Sequence, residues 1–406
     1  MKEEALAAFA SLDKAALIAA AKAMQPELSE TREHLHRHPE PSRFEAQTAV
    51  YIEQRLKEIG GYTLRTGLGN GGHGILADLD GAYPGRTVVL RADMDALQIT
   101  EETGAAFCSE NQGVMHACGH DNHMTIALGA AKLLAKYRDR LHGHVRFIFQ
   151  PAEELSPNGG SRSMIESGAL EGADAVFGLH CWPDLPVGVI GVKPGPAMAA
   201  SDHIYAKLEG KASHAAKPQD GIDAVVAGAQ FVTAVQSIVS RSIDPLQSAV
   251  ITLGKFNAGT RYNIVAGSCE IEGTCRTLSE EARDIAERRL GEVLAGVGTL
   301  SGCKTELNYE RGYAPLFNDE AMSELALSVA AELFGDDHAK RIKEATTIAE
   351  DFGFYLKETP GAFLWLGTGD GGAGSQPLHN CCYNPSEDIL WRGAAEMAAL
   401  AMSLAS

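Results

Sequence analysis

The sequence has no long apolar run. Nothing in it approaches the roughly 18 apolar residues that a helix needs to span a bilayer, so no transmembrane segment is expected. Positive charge is in short supply: 35 Lys and Arg face 53 Asp and Glu, a formal net charge of −18. That balance argues against nucleic acid and anionic membrane surfaces as partners. Cysteine is thin for a chain of 406 residues, with eight at irregular spacings. A secreted disulfide scaffold would be shorter and denser in cysteine, so reduced thiols in a cytoplasmic protein are expected. Internal repeats and extended low-complexity tracts are missing too. The opening MKEEALAAFASLDKAALIAAAKAM is interrupted by Lys and acidic residues, which reads as an amphipathic helix and not as a signal peptide.

What is present is the length for two or three domains and an ordinary 45% hydrophobic content. FEAQTAVYIEQRLKEIG has helical spacing and ends in Gly60 and Gly61. HGILADLDG, TVVLRADMD, HVRFIFQP and DAVFGLH read as strands, with HMTIALGAAKLLAKYRDR a buried helix among them. Such alternation implies an α/β domain with a mostly parallel sheet covered by helices on both faces. Asp93 and Asp95, Glu153 and Glu154, and His180 each fall at or just beyond a strand end. In open α/β sheets, the crevice outside the carboxyl ends of the strands is where ligands bind. From about Ala199 to Leu307 the order changes to strand, loop, long helix, two strands, helix. A smaller α+β unit at 199–309 is therefore expected as an insertion between catalytic parts 1–198 and 310–406.

Residues 115–123, MHACGHDNH, crowd five potential metal ligands into one run. They cannot all serve one ion, and with no second cysteine nearby a structural zinc knuckle is not on offer. Cys118 and His120 can present a thiolate and an imidazole to the same pair of ions, Glu154 adds a carboxylate, and His180 and His379 add imidazoles. Such mixed S/N/O ligation suits zinc, and also manganese, cobalt or nickel. Glu153 and Glu154 are adjacent, so one can ligate metal while the other takes a proton from a water and later passes it to a leaving amine.

LRADMDAL, MHACGHDNHMT, FIFQPAEE, GLHCWP, GKASHAAKP, GTCRT, AEDFGFY and LHN occur in this order from about His34 to the C-terminal helix. The whole resembles the metal-dependent amidohydrolases of the aminoacylase, hippurate hydrolase and indole-acetyl-amino-acid hydrolase type, relatives of carboxypeptidase G and of dinuclear zinc exopeptidases. The resemblance implies two divalent ions per subunit, with Cys118 bridging them and His120, Glu154, His180 and His379 as the other ligands. It implies Glu153 as the general base and an N-acyl amino acid or similar small amide as substrate. The inserted unit resembles a lid and dimerisation domain of a homodimer, with His214 reaching the partner subunit's site to stabilise the oxyanion. Asn263 and Arg276 fall where the family contacts substrate. Asp121, His116 and Asp93 become candidates for orienting ligands, and His123 is structural.

The chain departs from the family pattern at Gln98, Gln219 and Ala266, and places Cys381 and Cys382 beside His379. None of these removes a ligand; they bear on substrate preference and loop geometry. The rival readings are a dipeptidase or carboxypeptidase of the same superfamily, and a metal-dependent binding protein without catalysis. Cys118 and the RADMDAL form favour the acylase branch, and an intact Glu153 counts against mere binding.

Overall fold

The computed structural model describes residues 2–405. Its larger sheet has eight strands. Six are labelled here: β1 (Thr63–Leu68), β2 (Gly74–Asp80), β3 (Tyr83–Asp93), β4 (His142–Gln150), β5 (Ala175–Pro186) and β6 (Ile190–Val192). The sheet order is β1-β2-β4-β3-β5, then Gly361–Gly369, β6 and Ala339–Arg341. The centre is parallel, β3 to β4 and β5, and β5 to Gly361–Gly369. β1 with β2, β2 with β4, and Gly361–Gly369 with β6 are antiparallel.

The central strands are near-continuous apolar runs because both faces are covered. Side chains alternate along a strand, and here they divide cleanly between two cores. Val88, Leu90 and Ala92 of β3, with Val145, Phe147 and Phe149 of β4, pack with residues of helices His120–Lys136 and Leu390–Leu404. Val89, Ile148 and Val176 face the other way, with Met164, Phe352 and Tyr355.

The N-terminal segment forms two helices where one was expected, Lys2–Ala10 and Lys14–Ala23. Asp13 starts the second by accepting the Ala16 amide at 2.9 Å, a side-chain cap that favours a new helix start over continuation. β5 also runs further than its sequence suggests. His180 does not close it, because Cys181 and Trp182 go on pairing with Leu366 and Gly367.

A second, four-stranded antiparallel sheet has the order Ala249–Ala258, Ser268–Thr277, Ser201–Glu209, Lys304–Tyr313. Its last strand runs past residue 309, so the sheet extends beyond the stretch read as inserted. Helices Ala224–Arg241 and Glu280–Ser301 cover one face around Ile204, Phe231, Ile271 and Leu290. Ser213–His214 and Ile264–Val265 form a separate two-stranded ribbon.

Arg283, on the second helix, is buried against Asp202 at 2.9 Å (Nε) and 2.5 Å (Nη2). Asp202 also accepts from Tyr309 Oη and the Gly312 amide, so one carboxylate joins helix and strands. Arg283→Ala leaves that buried carboxylate without its cation and should cost about 3–5 kcal/mol, read by denaturant unfolding. A loss below ~1 kcal/mol would show that the two bonds left to Asp202 suffice.

Candidate active site

Asp95 sets the geometry at the end of β3. Its carboxylate accepts the Glu153 amide at 3.0 Å, the Glu154 amide at 2.9 Å and the Ser42 hydroxyl at 2.6 Å. Ala152, just before the glutamates, has φ +57°, which L-residues seldom adopt. Its amide is held at 2.8 Å by Glu45, and Tyr313 Oη donates to the Glu153 carbonyl. The loop after β4 is thus fixed by side chains from three other segments, with Glu153 and Glu154 lining a cavity of about 520 Å³.

Cys118 and His120 lie on either side of Gly119, whose φ of +89° precedes helix His120–Lys136. A Cβ there would make a tight 3.3 Å contact with Cys181 Cβ, and the positive φ is one that favours glycine. Cys118 Sγ is 3.4 Å from His180 Nε2. His379 Nε2 is 3.1 Å from Glu154 Oε1, and His120 Nε2 is 3.9 Å from the same oxygen. Cys118, His120 and His180 form one trio of donors within 4.8 Å of one another, and Cys118, Glu154 and His379 form another. The thiol is common to both. His379 also has a positive φ, +67°, and its amide bonds Ala117 O at 2.9 Å, which ties this loop to the cysteine loop.

The outward nitrogens are oriented from behind. His120 Nδ1 bonds the Asp95 carbonyl at 2.8 Å and His180 Nδ1 the Cys181 carbonyl at 2.7 Å. In both rings Nε2 is left to face the other donors, Glu154 for His120 and Cys118 for His180. His123 is different. It accepts the Cys181 amide at Nε2 and meets Asp93 at Nδ1, 2.7 Å away. Both nitrogens are engaged within the protein, and neither points to the cavity donors. Asp93 also approaches His120 Nε2 at 3.7 Å. Asp121 departs from expectation: its carboxylate turns away to Arg32 (2.9 Å) and His36 (2.8 Å). His116 is buried with neither ring nitrogen bonded, and burial pushes its pKa down to about 4. It orients no ligand through a hydrogen bond.

The electrostatics call for cations. Burial lowers the basicity of His120, but the Asp93 charge, the Asp95 bond and charge, and Glu154 outweigh it and lift its pKa to about 10. Burial, then Glu154 and Glu153, pushes the Cys118 thiol far up. Burial, then Glu350 and Glu154, does the same to Glu153. Among the described residues, His120 Nε2 is buried without a hydrogen-bond partner, and Glu154 Oε1 has the His379 imidazole as its near neighbour. An orphaned donor atom, a shared thiol and surplus negative charge fit a pair of divalent ions held by Cys118, His120, Glu154, His180 and His379.

Arg276 lines the same cavity, and among the described residues nothing hydrogen-bonds its guanidinium. Trp182, Met198, Ile348 and Leu378 supply apolar wall. His214 and Asn263 are not brought to this cavity. His214 is exposed on the ribbon, and Asn263 O accepts the Ala215 amide at 3.1 Å from the adjacent turn.

Sequence reasoning missed the roles of Asp95, Glu45, Tyr313, Arg91 and Glu350. Arg91 is buried and bonds Asp93 (2.6 Å), Glu350 (3.0 Å) and Asp351 (2.9 Å). A basic residue inside the apolar run VVLRAD was the available signal, since a buried arginine demands acidic partners.

The sequence profile of the peptidase family M20/M25/M40 matches residues 89–403. The chain is 42% identical over 347 residues to the N-acetyl-L-cysteine deacetylase of Bacillus subtilis, covering 85% of this chain and 81% of that one. A crystal structure of a putative aminohydrolase from methicillin-resistant Staphylococcus aureus is similar, with a TM-score of 0.91 at 35% identity, covering 96% of this chain and 99% of that one. A dinuclear metal-binding peptidase of the M20 family from Bacillus subtilis gives 0.81 at 34% identity, covering 94% and 98%. The chain belongs to the M20/M25/M40 family.

The support beneath Ala152 has a pH signature. Burial, then the Asp95 charge, raises Glu45 from 4.5 to about 7. A carboxyl raised on folding gives stability that is full below its unfolded pKa and lost as pH rises through the folded value. Between pH 4.5 and 7 the protein should lose up to about 3 kcal/mol at this residue. Glu45→Gln keeps an acceptor for Ala152 and removes the charge, so its stability relative to wild type should rise by that amount between pH 5 and 8. A difference that stays flat with pH would mean that Glu45 is ionised throughout.

Proposed function

With membership of the M20/M25/M40 family as the premise, we propose that the protein is a dinuclear metallo-amidohydrolase that cleaves the amide bond of N-acyl amino acids. The observation that carries this reading is one thiol, Cys118, common to two donor trios in a cavity that also holds Glu153 and Arg276. Two divalent ions held by Cys118, His120, Glu154, His180 and His379 would supply Lewis acidity towards the acyl carbonyl and lower the pKa of an attacking water. The S/N/O donor set admits zinc, manganese, cobalt or nickel.

The chain's own residues then divide the work. Glu153 Oε takes the proton of the attacking water and returns it to the amine nitrogen as the amide breaks. The Asp95 bonds to both glutamate amides hold the two carboxylates in their separate directions. Arg276 faces the amino acid's α-carboxylate, a charge-assisted pairing that selects an acidic group beside the scissile bond. Trp182, Met198, Ile348 and Leu378 shelter the acyl group. The acetylated amino acid named for the Bacillus relative is a substrate of this shape.

His214 and Asn263 act, in this reading, across a homodimer formed through the unit around the second sheet. Support comes from apolar residues exposed on that unit, among them Tyr262, Phe256, Ile264 and Val250, which a partner copy would cover. A cytoplasmic location agrees with eight free cysteines, and no described helix is long and apolar enough to cross a membrane.

The decisive pair of variants is Glu153→Gln and Glu154→Gln, assayed on a panel of acetyl, benzoyl and indole-acetyl amino acids. The first should keep two ions per chain and lose roughly 10²–10⁴-fold in kcat; the second should lose metal. The opposite pattern would invert the assignment, and absence of hydrolysis by metal-loaded wild type across the panel would remove the reading. His214→Ala should keep its metals and lose roughly 10²–10³-fold in kcat. Mixing it with Glu153→Gln subunits should restore activity, since one site of each hybrid combines both intact residues. Confirmed subunit exchange without recovery would place His214 outside the reaction.

A further inference from the structure

The loop that carries His379 holds two adjacent cysteines, and the proposed reaction uses neither. Cys381 and Cys382 place their sulfurs 3.9 Å apart. Glu102, remote in sequence, brings Oε2 to 3.5 Å from Cys381 Sγ. Both sulfurs and a Glu102 carboxylate oxygen lie within 4.8 Å of one another.

These spacings have a specific meaning. A tetrahedral zinc ion with bonds of about 2.3 Å to sulfur and 2.0–2.2 Å to a carboxylate separates two sulfurs by about 3.8 Å and a sulfur from an oxygen by about 3.5–3.6 Å. The observed 3.9 and 3.5 Å match two edges of that tetrahedron. The third edge, from Cys382 Sγ to the carboxylate, lies within 4.8 Å.

The arrangement is braced on both sides. The Glu102 amide bonds the Cys381 carbonyl at 2.8 Å. The Cys382 amide is held by Asn380 Oδ1 at 2.8 Å. Next to Glu102, the Glu101 carboxylate accepts the Ser109 amide at 2.6 Å and lies 3.2 Å from His36 Nε2. His36 in turn meets the buried Asp121. The donor segment is thus anchored to the core, and the cysteine segment to the donor segment. The three donors are only partly covered, with Glu102 exposed, so an ion can enter and keep a fourth position for water.

We propose that Cys381, Cys382 and Glu102 form a second metal site, separate from the dinuclear centre, for a thiophilic divalent cation of the zinc class. Two sulfurs and one carboxylate exclude magnesium and calcium, which take oxygen ligands, and favour zinc or cadmium. Binding exchanges the two thiol protons for the ion. It also cross-links residues 381–382 to residue 102 and so stiffens the loop that presents His379.

The test uses full-length reduced protein dialysed to equilibrium against buffered Zn²⁺, with bound zinc counted per chain and thiols mapped by iodoacetamide labelling and mass spectrometry. Wild type should hold one zinc more than Cys381→Ser/Cys382→Ser, and zinc should protect both thiols from alkylation. Glu102→Gln should weaken the protection roughly tenfold or more, having lost a charged ligand. In Cys118→Ala, which disables the dinuclear centre, protection of Cys381 and Cys382 should persist. Equal zinc content in wild type and the double serine variant would overturn the proposal. So would alkylation indifferent to zinc, or protection that disappears with Cys118.

Discussion

A surplus of negative charge held out of water governs this molecule. Asp93, Asp95, Glu153, Glu350 and Asp351 are all buried around the end of β3. An unanswered buried charge costs several kcal/mol, so the fold must answer each. Arg91 answers Asp93, Glu350 and Asp351. Asp95 is answered by two backbone amides and a hydroxyl. At Glu153 and Glu154 few of the protein's own donors remain, His379 Nε2 at 3.1 Å from Glu154 among them, and the thiol and imidazoles converge at that point. In the proposed reading divalent ions fill the deficit, which would make ion binding a condition of the native arrangement as well as of the chemistry.

The same bonds that neutralise the acids also aim them. Asp95 cannot be satisfied without turning the loop after β4, and turning that loop presents the glutamates to the cavity. Gly119 lets the chain turn between Cys118, which lines the cavity, and His120, whose donor atom lies within 4.8 Å of those of both glutamates. Charge balance, backbone direction and ligand placement are therefore one problem with one solution. The second sheet has its own core and the Asp202–Arg283 junction, and it reaches the glutamate loop through Tyr313. It also adds Arg276 to the cavity, while the separate ribbon keeps His214 outside it within one chain.

Much of this is legible in the sequence. The apolar runs of β3, β4 and β5 betray a sheet covered on both faces. The MHACGHDNH run, the adjacent glutamates and the terminal LHN segment point to a metal centre, and the order of the motifs gives the family. What stays hidden depends on contacts between distant residues. Nothing near Asp95 says that its oxygens take amides from residues 153 and 154, and nothing near Arg91 names Glu350 and Asp351 as its partners. Asp121 looks like a support for the ligands beside it, yet its side chain serves Arg32 and His36 on another helix. The split of the N-terminal helix at Asp13 was readable as a cap, but helical composition on both sides masked it.

The central claim is that one cysteine thiolate serves two ions. X-ray absorption at the zinc edge, on Cys381→Ser/Cys382→Ser protein loaded with two equivalents, tests it most directly because that variant leaves Cys118 as the sulfur of the centre. The account expects sulfur scattering at about 2.3 Å averaging one sulfur per zinc, together with a zinc–zinc vector, both disappearing in a further Cys118→Ala change. A spectrum of nitrogen and oxygen scatterers alone, or one ion bound without a second metal nearby, would contradict it.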